Sequence, residues 1–423
     1  EVCDGEDNDC DGLVDEGVLN ACGTCGDTCY QTLYTEDSDF DAGALVAVNH
    51  NIPGELRLDD IVMAGPSIWI ALTADHSVVR FDIRTRERFG PYPTHGWSPS
   101  RTALCLDETV WVGNRGCQDI LGNCDPSDPE HGNAVHLTKA GELICRADVT
   151  GTGPAGSEYM VAVRALAVDF QGDAWIGSWD RGIMYQVSGS IVDEGEPPRC
   201  RILREVDLEG GRAYGAAIDS RGFLWIVTHG HGPLLQINTV TGQIISRVEA
   251  VMGGRELQTY GIAIDGNDNV WLGLYEDGIG GLLRIDSHTL GVTHVPNPNS
   301  SRITRGVAVD LDGNIWSADW QDNTVSKYAP EGEYIATYPI TDGRMPAEEP
   351  VGVGVDADGF LWVINYASDK ATIMDTEGHI IDIVDVGGRR PYTYSDMTGR
   401  TLRNEDNRFG TWSVTLDMGY EDA

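Results

Sequence analysis

The sequence holds no run of about eighteen apolar residues, so no segment reads as a membrane-spanning helix. Basic residues are scarce. There are 29 Lys and Arg against 67 Asp and Glu, a formal net charge of −38. Nucleic acid and anionic membrane surfaces both reward Lys/Arg clusters, so this balance argues against either as a partner. Cysteine is absent beyond Cys200. No stretch sustains a helical period, which argues against an α-rich fold. No Gly-rich phosphate loop precedes a helix, and no Ser-His-Asp arrangement stands out.

The ten cysteines that do occur are even in number and confined to the first half of the chain. That usage fits a disulfide-permitting place: the periplasm, the cell surface or the medium. Cys22-Gly-Thr-Cys25 has the CxxC form but no second pair, so a structural disulfide is the expected role. Spacing alone leaves the connectivity open.

The chain begins EVCDGEDNDCDGLVDEG, and nothing like it recurs. Asp7, Asp9 and Asp11 place carboxylates at alternate positions, followed by Gly12, where a backbone bends sharply. A carbonyl at Leu13 and carboxylates at Asp15 and Glu16 complete a hard-oxygen set, so calcium is the expected cofactor. The pattern departs from an EF-hand, because Val18 occupies the position of the closing bidentate carboxylate. Residues 1–30 therefore form a Cys-rich acidic metal-binding segment ahead of a larger domain, 31–423.

Internal repeats decide the fold of that larger domain. RALAVDFQGDAWIGSWD, YGAAIDSRGFLWIVTHG, YGIAIDGNDNVWLGLYE, RGVAVDLDGNIWSADWQ and VGVGVDADGFLWVINYA align, with Trp175, Trp225, Trp271, Trp316 and Trp362 in register. Two earlier copies carry Trp111 and Trp69. The spacing, mostly about 45 residues, is that of a four-stranded propeller blade. Alternating segments such as SVVRFDIRT and PLLQINTVT supply the next strand of each unit. The expectation is an all-β, seven-bladed β-propeller with terminal latch strands. The alternative is eight blades, because PYTYSDMTG looks like a partial further copy.

Recurring residues read as scaffold. The Asp before each turn (Asp107, Asp169, Asp219, Asp265, Asp310, Asp356) accepts backbone N–H groups of the turn, and the Trp series packs between blades. Function is expected where the copies differ. The residue four beyond each Trp reads Thr73, Arg115, Trp179, His229, Tyr275, Trp320 and Tyr366. Arg164, Tyr214, Tyr260 and Arg305 open the innermost strands. With Asp180, His231, Glu276 and Asp319, these residues form an aromatic, charged bowl suited to a glycan, a peptide or a small cyclic molecule. The competing reading is that the rings only cap the packing between blades. His229-Gly-His231 alternates along a strand and, with Glu276, offers an acid/base or metal-ligating set. An insertion with Cys117, Cys124 and clustered acids lies on the same side as a lid or a partner contact.

Two resemblances follow from these motifs. CDGEDNDCDGLVDEG resembles the short acidic, Cys-bracketed motif of MopE-type bacterial surface proteins, and is similar to the calcium-binding repeats of thrombospondin. The MopE name is associated with copper, yet the oxygen-rich set here favours calcium. VGVGVDADGFLW and RGVAVDLDGNIW resemble virginiamycin B lyase-like and NHL-type propellers over most of residues 55–400. That likeness implies a propeller. It also implies, for a lyase, His and Glu holding magnesium on one face; this sequence lacks a clear Glu-x-His after a blade Trp, and only His229, His231 and Glu276 could substitute. The reading is a secreted or surface calcium-binding propeller that binds or assembles, with the N-terminal segment able to join copies into an oligomer or polymer. The alternative is a metal-assisted lyase or lactone hydrolase.

Overall fold

Short β-branched and aromatic runs, punctuated by Gly and Asp, leave each repeat one solution: antiparallel strands joined by tight turns. The computed structural model describes residues 67–116, 132–149, 162–179, 181–300, 302–393 and 397–398, together with the backbone of short strands at 48–52, 55–58, 151–152 and 158–159. The chain divides into two compact units, Glu1–Val62 and Met63–Ala423. In the first, Val48–Ile52 pairs antiparallel with Glu55–Leu58. The expected calcium ligands and the CxxC pair lie outside the described residues, as do Asp180 and the insertion's cysteines.

The second unit is an all-β, propeller-like assembly. Four separate four-stranded sheets run in sequence order, beginning at Ala213–Ile218, Thr259–Ile264, Thr304–Val309 and Pro350–Val355. An eight-stranded sheet joins two further four-stranded meanders that begin at Pro99–Leu104 and Val163–Val168. Their outer strands meet edge to edge through the single parallel pair Arg199↔Arg146. The Cys145–Cys200 disulfide crosses at that point, linking residues 55 apart in the chain. Closing a loop of that length stabilises by about 4 kcal/mol in the chain-entropy picture. Asp148 joins the same seam, paired with Arg146 at 2.7 Å and with Arg199.

The innermost strands pack against one another in succession, so their residues are buried on both faces. The outermost strands, such as Ile244–Val248 and Tyr334–Pro339, alternate between half-buried and exposed positions. The three-stranded sheet Ser67–Leu72, Ser77–Asp82 and Arg88–Pro93 lacks an innermost strand of its own. The C-terminal segment supplies that edge. Tyr392 N–H donates to Ala71 O at 2.9 Å, Ala71 N–H to Thr393 Oγ1 at 2.8 Å, and Trp69 N–H to Met397 O at 3.1 Å. Gly354 of the last sheet lies directly beside Met397, where an added Cβ would come within 3.2 Å of its side chain. The segment that reads in the sequence as a partial extra copy thus completes the first sheet.

The recurring Asp performs the turn role expected of it and one more. Asp265 Oδ1 accepts the N–H groups of Asn267 and Asn269, while Oδ2 accepts the Trp271 indole N–H at 2.8 Å. The same indole bond recurs at Asp169–Trp175, Asp219–Trp225, Asp310–Trp316 and Asp356–Trp362. Each pair is six residues apart. Trp111 has Cys105 at that position and Trp69 has Met63; both indole N–H groups are buried with no partner among the described residues. Trp111 instead stacks on His136 with ring centroids 4.5 Å apart.

Candidate functional site

The opposite end of the same hairpins is where the sheets differ. Each innermost strand breaks register with its Trp strand near its first residue: between Val163 and Ala165, Ala213 and Gly215, Thr259 and Ile262, Thr304 and Val307. A bulge re-aims a side chain out of the pleat. The residues so released are Arg164, Tyr214, Tyr260 and Arg305. Tyr392 holds the equivalent place on the closing segment, because Pro391 bridges Leu72 as Pro350 pairs with Asn365.

These side chains converge. The Tyr392 hydroxyl lies 3.2 Å from that of Tyr214 and is hydrogen-bonded to that of Tyr260. Arg164 Nη2 donates to the Tyr214 hydroxyl. Arg101 Nη2 donates to Tyr214 O at 3.0 Å. Guanidiniums lie over aromatic faces: Arg305 3.7 Å from the Trp320 centroid, Arg164 4.5 Å from Tyr214, and Arg115 4.9 Å from Tyr392. Such stacking holds a guanidinium by its face and leaves its N–H edge in the plane.

The electrostatics are lopsided toward positive. Burial alone would raise the Tyr392 phenol, but Arg164, Arg305, Arg115 and Arg101 overcome it and hold the group down to about 7. Burial pushes the Tyr214 and Tyr260 phenols up. It also pulls Arg101 down to about 9. Arg115 Nη2, Arg164 Nε and Arg305 Nε are buried with no hydrogen-bond partner among the described residues.

The rim four residues beyond each Trp surrounds this floor. Trp179 packs against Tyr214 and His229, and Tyr275 stacks on Tyr260 at 4.9 Å. The aromatic rings therefore both cap the packing between sheets and line the rim. His229 is neutral, because burial, with Arg164 and Arg212 nearby, lowers its imidazole to about 4. Its Nε2 accepts from the Gln258 amide at 2.8 Å.

Other expected members are used elsewhere. Glu276 pairs with Arg255 at 2.7 Å and accepts Gln258 N–H at 3.0 Å. His231 stands 3.6 Å from it, about half exposed. His229, already bonded to Gln258, does not join them. No group of three or more His, Cys, Asp or Glu among the described residues is arranged to hold a metal ion. Asp319 is turned into its own sheet, accepting from Ser326 at 2.5 Å and Ser317 at 3.1 Å, and burial raises it to about 6. The structure thus unites Arg164, Trp179, Tyr214, His229, Tyr260, Tyr275, Arg305 and Trp320; Gln258 links His229 to Glu276, which His231 stands beside, and Asp319 turns into its own sheet. Sequence reasoning missed Tyr392 and Arg101. The signal for Tyr392 was present: Pro391-Tyr392 aligns with Pro350-Val351.

No protein-family model matches the chain, and no curated protein matches it. Solved structures do. A streptogramin B lyase structure aligns with TM-score 0.55 and 14% identity, over 78% of this chain and 92% of that one. Hydrazine synthase from Kuenenia stuttgartiensis aligns with TM-score 0.57 and 15% identity, over 75% and 94%. Virginiamycin B lyase from Staphylococcus aureus aligns with TM-score 0.47 and 18% identity, over 55% and 73%. At these identities the likeness is one of fold. Among the described residues no helix is long and apolar enough to cross a membrane.

Proposed function

We propose that this chain is a ligand-binding propeller of seven blades, with its binding face at the arginine–tyrosine end of the innermost strands. The observation that supports the reading is the convergence of Arg164, Tyr214, Tyr260, Arg305 and Tyr392 from five different stretches of chain. A scaffold gains nothing by burying several like charges together, so such a cluster is expected where a ligand is held. The flanking aromatic rings suit a sugar or a small cyclic molecule. Binding is favoured over metal-assisted lysis because His229 and Glu276 are committed to Gln258 and Arg255. Calorimetric titration against a panel of saccharides and cyclic peptides tests this. At least one class binds, and Trp320→Ala weakens it more than tenfold. Absence of binding across the panel, or binding indifferent to Trp179→Ala and Trp320→Ala, overturns the proposal.

The N-terminal segment adds a second role. In our reading Asp7, Asp9, Asp11, Leu13, Asp15 and Glu16 hold calcium, and the segment stiffens a junction between copies of a secreted or surface protein. The Cys145–Cys200 disulfide fits an oxidising location. Metal analysis of the purified chain and sedimentation with and without chelator check this. Calcium present and a chelator-sensitive size are expected; a calcium-free chain, or an unchanged monomer, removes the respective half.

A further inference from the structure

The arginine–tyrosine floor is chemically odd in this protein. The chain carries 67 acidic residues against 29 basic, yet Arg115, Arg164 and Arg305 are paired with no carboxylate among the described residues. Elsewhere the described arginines take acidic partners readily: Arg255 with Glu276, Arg221 with Asp219, Arg146 with Asp148. At the floor the guanidiniums are held instead by ring faces and by carbonyl and phenol oxygens. Arg305 lies over Trp320, Arg164 over Tyr214, and Arg115 bonds Ser98 O at 3.2 Å. Arg115 and Arg305 are more than nine-tenths buried, and each keeps an N–H atom without a partner among the described residues.

A buried cation with an unused N–H edge is costly unless a negative group completes it. The geometry selects the kind of group. Each guanidinium carbon lies over a ring and each group keeps one buried N–H nitrogen unpartnered among the described residues, and a guanidinium's planar N–H set matches planar or tetrahedral oxygens. The hydroxyls of Tyr214, Tyr260 and Tyr392 cluster together, and that of Tyr214 accepts from Arg164. We propose that this floor is an oxyanion site: it takes the carboxylate, sulfate or phosphate group of the ligand, while the rim rings Trp179, Tyr275 and Trp320 contact the body that carries it. This rests on the reading that the face binds a ligand, and it names that ligand's class. The acidic surface of the chain repels anions generally, so any anion uptake must be local.

The test titrates the full-length chain by calorimetry with galacturonate, glucose 6-phosphate, inorganic phosphate, galactose and glucose. The acidic sugars bind at least tenfold more tightly than their neutral counterparts, and the Arg164→Gln/Arg305→Gln pair removes that margin. Inorganic phosphate competing with the acidic sugar supports the oxyanion as the recognised group; phosphate failing to compete overturns it. Neutral sugars binding as tightly as acidic ones overturns the oxyanion site while leaving a ligand face intact, provided Trp320→Ala still weakens them. Acidic sugars failing to bind the wild-type chain also overturns it. A thermal melt of the Arg variants confirms that a lost margin reflects lost recognition rather than unfolding. Should the double variant fail to fold, Arg305→Lys alone serves: it keeps the charge, loses the fork and is expected to lower acidic-sugar affinity several-fold. Unchanged affinity in that variant counts against the proposal.

Discussion

The two ends of each inner hairpin, built from the same two strands, obey opposite rules. At the turn end the sheets are nearly interchangeable: Asp accepts two turn amides and, six residues on, the Trp indole. In five sheets the indole N–H has this local partner; only Trp69 and Trp111 keep theirs unpaired among the described residues. At the bulge end the equivalent positions read Arg164, Tyr214, Tyr260, Arg305, Val351 and Tyr392, and several donors stay unpaired among the described residues. Uniformity at one end closes a ring, and variety at the other furnishes it. The difference teaches that polar satisfaction separates scaffold from site better than burial does, since both ends are buried.

The sharpest way to break this contrast is at the Trp series. Trp271→Ala empties a fully buried position and is expected to cost about 3–5 kcal/mol in urea unfolding. Trp320→Ala at the rim removes a half-buried ring and should cost well under half of that; equal losses would erase the distinction. Asp265→Ala is next. It strands the Trp271 indole and the turn amides, for about 1–3 kcal/mol. Asp107→Ala, in the turn before Trp111, should be milder, because it strands no indole.

A smaller effect lies in the pH profile. Tyr392 faces Arg101, Arg115, Arg164 and Arg305 and the phenols of Tyr214, Tyr260 and Tyr366. Its phenol releases a proton near 7 in the folded chain and near 10 in the unfolded one. Between those values the unfolded chain holds more protons, so this group's contribution to stability rises with pH from 7 to 10 and is lost as pH falls through 7. Unfolding of wild type and Tyr392→Phe at pH 7 and 9.5 should show the gap widening at the higher pH. Parallel behaviour would mean that the arginines do not act on Tyr392. The smallest effect is expected from Arg164→Gln and Arg305→Gln. Removing one of several like charges should leave stability within about 1 kcal/mol of wild type, or raise it. A loss of 3 kcal/mol or more would return these arginines to the scaffold.

Much of the molecule was legible beforehand. The Trp series, the Asp turns and the period-2 strands follow from local rules that repeat about every 45 residues, and repetition makes weak signals add. The rim residues Trp179, His229, Tyr275 and Trp320 were found by counting from Trp, because strand parity places them on one side. The partners of His229 and Glu276 are set by something counting cannot reach. Arg255 and Gln258, on the connection before Thr259, capture Glu276 and His229 first. Asp319 was likewise taken by serines of its own sheet.

What the sequence alone determined was the blade unit: strand period, turn chemistry and the buried Trp all act over a few residues, where covalent spacing dictates geometry. The company that each varied residue keeps was set by the packing of the whole chain. Tyr392 and Tyr214 are 178 residues apart, yet their hydroxyls lie 3.2 Å from one another. They meet because the C-terminal segment completes the first sheet and because a bulge turns Tyr214 toward the place that Tyr392 holds on that segment. Neither event is written in either residue's neighbourhood, since ring closure is a property of the summed rotation of all the sheets.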